Sequence, residues 1–272
     1  MPYRKVAFAD NEVYHTIIRA IDDNLIFKDI NDHYRGIFSI YEFNSSKPTT
    51  IQRRREERNR FKRLVSRKIS GRPTSTDTST DTSTDTSTDT STDTSTDITK
   101  NIDQMDKLVD ILAFCFMPNH IHLLLKQIQN NGVQKFMVKL GSGYGRYFNQ
   151  KYQRKGYVFQ NRFQSVHVKN DKQLIIAVNY IHSNPISLIE PGFKEKGIKN
   201  HSEKEVLEFL KMGYRWSSFP DYIGVKNFPS VTERNFILNT MANEKDVMEN
   251  IIDWISYKKE ITMYENMLFN QK

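Results

Sequence analysis

Apolar positions along the chain alternate in short runs or recur every three to four residues, and the two periods mark out a definite succession of elements. EVYHTIIR, residues 12–19, reads as an opening strand. Asp29 stands where it would cap a helix whose apolar face runs through Tyr34, Ile37, Phe38 and Tyr41. LVDILAFCFM at 108–117 is an apolar run of strand length, Pro118 and Asn119 supply a tight turn, and HIHLLLKQ at 120–127 is the returning strand. Residues 132–152 are helical in period around Val133, Phe136, Met137, Leu140, Tyr144 and Phe148; Gly141 and Gly143 weaken that helix and suggest a kink or the close approach of a ligand. FQSVHVK at 163–169 alternates as a strand, and Asn170 with Gln173 resembles a capping box opening the helix DKQLIIAVNYIHS. Up to the strand at 163–169, this order predicts an α+β fold, a ferredoxin-like antiparallel sheet with helices on one face. Beyond Pro191 the pattern predicts a helical C-terminal extension, with helices at 202–212 and 243–268 and an aromatic loop, YRWSSFPDYIG, between them.

Two segments break this pattern. Residues 74–97 are six consecutive copies of Thr-Ser-Thr-Asp, with no apolar side chain and a carboxylate at every fourth position. Such a tract cannot offset the entropy of ordering, and a period of four is too short for a solenoid unit. It reads as a disordered loop inserted at about 72–99 in a catalytic domain spanning 1–190, followed by the extension over 191–272. Just before it, IQRRREERNRFKRLVSRK at 51–68 holds nine basic residues against two acidic ones. There Arg53, Arg54, Arg55 and Arg58 suit either phosphate contact or a solvated helix face.

Composition narrows the class. The 272 residues carry a net charge of +8 and a mean hydropathy of −0.64, a balance that favours a polyanionic partner. Cys115 is the one cysteine, so neither a disulfide framework nor a multi-thiolate zinc site is available. No run approaches the length of a membrane span, and the N-terminal stretch lacks the apolar core of a signal peptide; a cytoplasmic location is expected.

The chemistry-bearing residues lie on the second hairpin strand and the helix after the last strand. His120 and His122, two apart on a strand, point to the same face and can share one metal ion. On the helix, Leu174, Ala177, Val178 and Ile181 form the core stripe, with Tyr180 and Asn184 one turn apart on one flank and His182 on the other. Spacing alone leaves Tyr180 equally open as a packing residue and Asn184 as a helix end before Pro185. Between 144 and 163 basic and aromatic residues interleave, including Arg146, Tyr157 and Arg162, a mixture that suits stacked single-stranded bases beside a backbone and suits a core as well.

CFMPNHIHLLLK at 115–126 resembles the His-hydrophobic-His motif of single-tyrosine HUH transposases, most closely their REP-associated branch. GYVFQNRFQSVHVKNDKQLIIAVNYIHSNP at 156–185 resembles the second signature block of that branch; MPYRKVAF at the start and residues 214–224 are also similar to family elements. The resemblance covers roughly 1–71 and 100–225. It implies a ferredoxin-like catalytic domain, His120, His122 and Asn184 as ligands of Mg²⁺ or Mn²⁺, Tyr180 as nucleophile and no nucleotide cofactor. The implied partner is single-stranded DNA with palindromic hairpins, bound by a monomer or a homodimer and cleaved through a 5′-phosphotyrosine. A DNA-hairpin-binding regulator without cleavage is the alternative. An RNA-binding protein on such a sheet would leave the histidine pair unexplained.

If the repeat is an insertion without a packing role, deleting residues 74–97 leaves thermal stability and DNA cleavage unchanged. A large fall in either, measured by thermal melting and cleavage assay, would show that the tract packs or binds.

Overall fold

In the computed structural model, the residues described are 7–47, 106–241 and 244–256. The repeat and Arg53, Arg54, Arg55 and Arg58 therefore lie outside the described residues, as do residues 257–268 of the helix expected at 243–268. The elements follow the expected order: β1 (Val13–Arg19), α1 (Ile30–Glu42), β2 (Val109–Met117), β3 (His120–Gln127), α2 (Gly132–Lys151), β4 (Gln164–Val168) and α3 (Asp171–Ser183). The strands form an antiparallel sheet in the order β2-β3-β1-β4, the ferredoxin-like arrangement.

Local chemistry sets the element ends. The Asp29 carboxylate accepts from the Asp32 backbone at 3.0 Å while Asp32 accepts from the Asp29 N–H at 3.2 Å, a reciprocal cap that starts α1. Lys151, at the end of α2, bonds both carboxylates at 2.6 Å and ties the two helices together. At the start of α3, Asn170 accepts from the Gln173 N–H at 2.9 Å, but the Gln173 side chain accepts from Lys169 rather than from Asn170, so the expected box is half formed.

Strand alternation divides the core. Thr16 and Ile18 of β1 meet α2: the Thr16 hydroxyl lies 3.5 Å from Met137 Sδ, and Ile18 packs beneath Gly141. Val13, Ile17, Ala113, Cys115, Met117 and Leu124 point to the opposite face and pack with Leu174, Ala177, Val178 and Ile181 of α3, all of them buried. The two crossover helices α1 and α2 thus share one face, while α3 covers the other. A bulge between Ile111 and Ala113 lets the neighbouring Leu112 and Ala113 both join the α3 side.

The C-terminal extension closes the outer edge of β2, which would otherwise present unpaired backbone groups. Its short helices are α4 (Phe193–Lys196), α5 (Glu203–Glu208), α6 (Phe219–Tyr222), α7 (Asn235–Met241) and α8 (Glu244–Ser256). Phe116 N–H donates to Trp216 O at 2.9 Å, Ser218 N–H to Phe114 O at 3.0 Å, and Glu233 N–H to Ile111 O at 2.9 Å. Ser218 Oγ accepts from the Phe114 N–H at 2.9 Å, the Tyr222 hydroxyl donates to Leu112 O at 2.5 Å, and the Tyr214 hydroxyl donates to Phe116 O. The segment read as an aromatic loop is therefore a strap along the sheet edge. Behind α3, Trp254 of α8 donates to Ser183 Oγ at 2.8 Å.

The glycines of α2 serve packing. The helix runs unbroken through Gly141 and Gly143, and at Gly143 a methyl would run into the ring of Phe43, just past the end of α1. Gly143→Ala is expected to destabilise the fold by about 1–3 kcal/mol through overpacking, against the ~1 kcal/mol that alanine favours helix. Urea unfolding measures it, and a stabilised variant would rule out this close approach.

Candidate active site

The β1–β3 register sets Ile17 opposite His122 and Arg19 opposite His120, so both imidazoles emerge on the α3 face. Their Nε2 atoms lie 3.0 Å apart. The proton on His120 is fixed by its neighbours. Asn119 donates its amide to Asp23 Oδ1 at 3.1 Å, which turns Asn119 Oδ1 toward His120 Nδ1 at 2.6 Å. An amide oxygen only accepts, so Nδ1 carries the hydrogen and the His120 Nε2 lone pair points at His122. Asp23 is itself held by Arg19 at 3.1 Å.

A third imidazole completes the row. His15, fully buried on β1, places Nε2 3.0 Å from His122 Nδ1. It stands opposite Leu124 and reaches His122 diagonally across the sheet. When His122 Nδ1–H donates to His15, both Nε2 lone pairs of the His120–His122 pair converge. Two lone pairs at that distance repel unless a proton or a metal ion lies between them, and 3.0 Å is about the ligand separation around an ion with bonds of ~2.1 Å. The donor set thus fits a divalent ion held by His120 and His122, with His15 orienting the second ligand. Among the described residues, no group of three or more His, Cys, Asp or Glu side chains forms a metal cluster.

Tyr180 lies against this row, its ring edge-on to His15 at 5.8 Å and to His122 at 5.7 Å between centroids. It is 1% exposed, and its hydroxyl accepts from Lys194 Nζ at 2.9 Å. Asn184 is brought to the same flank. There its amide donates to the Tyr180 carbonyl at 2.7 Å and serves the helix end before Pro185; among the described residues no hydrogen bond links it to an imidazole. His182 faces away, its Nε2 2.8 Å from Ser218 Oγ of the strap and its Nδ1 buried without a partner.

The basic and aromatic residues of 144–163 divide. Tyr144 and Phe148 are fully buried and Phe159 is 6% exposed, so these three belong to the core; the Tyr144 hydroxyl donates to Ile26 O at 2.6 Å. Arg146 and Tyr157 line one open concavity of about 390 Å³ with Gly141, Asn149 and Gln160, and Tyr157 is 84% exposed. Arg162 is exposed on the loop before β4. Sequence reasoning missed His15, Lys194 and Asn119. The signal for His15 was parity, a lone imidazole on the Val13–Ile17 face of β1, but pairing it with His122 requires the register.

Residues 84–184 match the model of the family described as transposase IS200 like. Over that segment the chain is similar to the IS200-like transposases. The solved structure of a REP-associated tyrosine transposase bound to a REP hairpin is similar, at 11% identity, covering 84% of this chain and 90% of that one with a TM-score of 0.40. No curated protein matches the chain. Among the described residues, no helix is long and apolar enough to cross a membrane.

Burial pulls the imidazoles of His15, His120 and His182 down to about 3, with the Lys194 charge adding to the effect at His15, and Arg19 and Lys194 at His120; His122 is lowered as well, first by burial and then by its neighbours. Unfolded histidine titrates near ~6.5. Between those values the unfolded chain binds protons that the folded chain refuses, so this stability is complete above about pH 6.5 and is lost as pH falls toward 3. Urea unfolding of metal-free protein should show a midpoint falling steadily from pH 7 to pH 5, each group adding a slope of about 1.4 kcal/mol per unit. A midpoint flat over that range would contradict burial of the neutral rings.

Proposed function

We propose that this chain is a single-tyrosine transposase that cleaves and rejoins single-stranded, hairpin-bearing DNA, with Tyr180 as nucleophile and a divalent ion at His120 and His122. The observation that carries the reading is the convergence of two imidazole Nε2 atoms at 3.0 Å beside the Tyr180 ring. It lies within the segment that matches the transposase family.

A tyrosine hydroxyl is a weak nucleophile at neutral pH and needs its target polarised. The bound ion would withdraw charge from the scissile phosphate. Neutral imidazoles leave the charge of that ion uncompensated and suit Mn²⁺ better than Mg²⁺. Tyr180 Oη forms the new bond to phosphorus and its proton passes to solvent. The bond from phosphorus to the 3′ oxygen breaks, and that oxygen takes a proton from water to become a free hydroxyl. The resulting 5′-phosphotyrosine keeps the energy of the phosphodiester, so a 3′ hydroxyl of another end can reverse the step and rejoin without a nucleotide cofactor. Asn184 holds the last turn of α3 at the Tyr180 carbonyl and is proposed as a further ligand. Arg146, Tyr157 and Arg162 are proposed to contact the strand away from the reacting phosphate.

Tyr180→Phe is expected to abolish the covalent protein–DNA adduct formed with Mn²⁺ and hairpin-bearing single strands while DNA binding persists; Tyr157→Phe, which keeps the ring that would stack on a base and loses only a hydroxyl, should still form the adduct at saturating DNA. His120→Ala and His122→Ala should eliminate Mn²⁺ binding in calorimetry, and His15→Ala should weaken it by about 10–100-fold. An adduct that survives Tyr180→Phe would disprove the nucleophile assignment. Hairpin binding with no adduct in the unaltered protein would favour the regulator.

A further inference from the structure

Lys194 belongs to α4, in the extension beyond the nucleophile-bearing helix, yet it reaches the centre of the site. Pro185 helps end α3, a short 3₁₀ turn runs over Asn184–Leu188, and Gly192, at φ +84°, turns the chain into α4. A side chain at φ +84° would be strained, so glycine suits this turn. Phe193, 2% exposed, anchors α4 in the core shared with α3. The next residue sets its Nζ 2.9 Å from the Tyr180 oxygen and 4.7 Å from the ring centroid.

We propose that Lys194 is a catalytic residue that binds the scissile phosphate and delivers it to the Tyr180 hydroxyl. This role rests on the reading of Tyr180 as nucleophile. Position is the first argument. Tyr180 and His122 are each 1% exposed, whereas Lys194 is half-buried, so a phosphate entering from solvent toward Tyr180 meets the ammonium before the hydroxyl. Charge is the second. It is seen among the described residues in Lys194, which acts on all three of His15, His120 and His122, and in Arg19, which acts on two of them. With Arg19 already paired to Asp23, the ammonium of Lys194 is what this edge of neutral rings offers a phosphate oxygen. Geometry is the third. A phosphorus atom within reach of Tyr180 Oη has its non-bridging oxygens within the span of the flexible Lys194 stem, and a hydrogen bond to that anion is roughly twice as strong as one to a neutral phenol.

The test starts from hairpin-bearing single strands taken from the DNA flanking the protein's own gene, with the cleaved linkage mapped from the unaltered protein's adduct. In the Tyr180→Phe background, which cannot cleave, Lys194→Met should weaken binding of that DNA at least three-fold. The slope of log affinity against log salt should flatten by about 0.7. The same DNA with a neutral methylphosphonate at the mapped linkage should bind both proteins equally. With Tyr180 present, Lys194→Met should slow adduct formation at saturating DNA at least ten-fold, and Lys194→Arg should recover most of the rate. Equal weakening on both DNAs, or no change on either, overturns the role of Lys194 and leaves the nucleophile reading standing. No adduct from the unaltered protein on any flanking hairpin sinks the nucleophile reading, and Lys194's role with it. Because methionine keeps the stem of the half-buried lysine, thermal melting should match the parent; a collapse of the fold in both the Met and Arg variants would assign Lys194 to packing.

Discussion

Two neutral imidazoles face each other across 3.0 Å inside a sheet covered on both sides, and much of the surrounding structure answers the demands of that pair. A buried polar ring must have partners for its nitrogens. His120 is supplied through Asn119, Asp23 and Arg19, a chain that reaches back to the end of β1; His122 is supplied by His15 from the middle of the same strand. Both partners depend on the β1–β3 register. A slip of one residue would turn His15 to the α2 side and set Thr16 or Tyr14 in its place.

The opposite side of the site is held from the C-terminal extension. Tyr180 rides on α3, whose inner stripe is packed on β2 and β3 and whose outer positions are pinned by Trp254 through Ser183 and by Ser218 through His182. Ser218 also bonds the Phe114 backbone, so one hydroxyl joins the sheet edge to the helix that carries Tyr180. The strap from Tyr214 to Tyr222 therefore does two jobs: it satisfies the open edge of β2 and it fixes the depth of α3 against the histidine row. The extension shares the core packed against α3, and through Lys194 it touches the Tyr180 oxygen.

Particular residues show why some of this was legible in advance. The apolar run before Pro118 and Asn119 and the one after it defined the hairpin to the residue or nearly so, because strand period and turn chemistry are local. Leu174, Ala177, Val178 and Ile181 were legible as the buried stripe of α3 because a helix fixes its own faces. The placement of His182 away from Tyr180 followed from the same geometry. Tyr144 and Phe159 were ambiguous, since an aromatic at helical or strand spacing has the same pattern whether it stacks on a base or fills a core. Gly143 looked like a weak point in a helix until Phe43 was seen to occupy the space a methyl would need.

The sequence by itself determined the elements, the ferredoxin-like order and the shared face of His120 and His122, because each is written in spacings of two to four residues. It also carried the family likeness, since the two signature blocks are continuous stretches of chain. The tertiary structure alone decided that His15 stands behind His122, that Asn119 sets the His120 proton, that residues 214–222 close the β2 edge, and that Lys194 meets Tyr180. The reason is distance along the chain. His15 and His122 are 107 residues apart, and Phe114 and Ser218 are 104. No local period records a contact of that length; it exists only once strand register and the turn at Gly192 have brought the groups together.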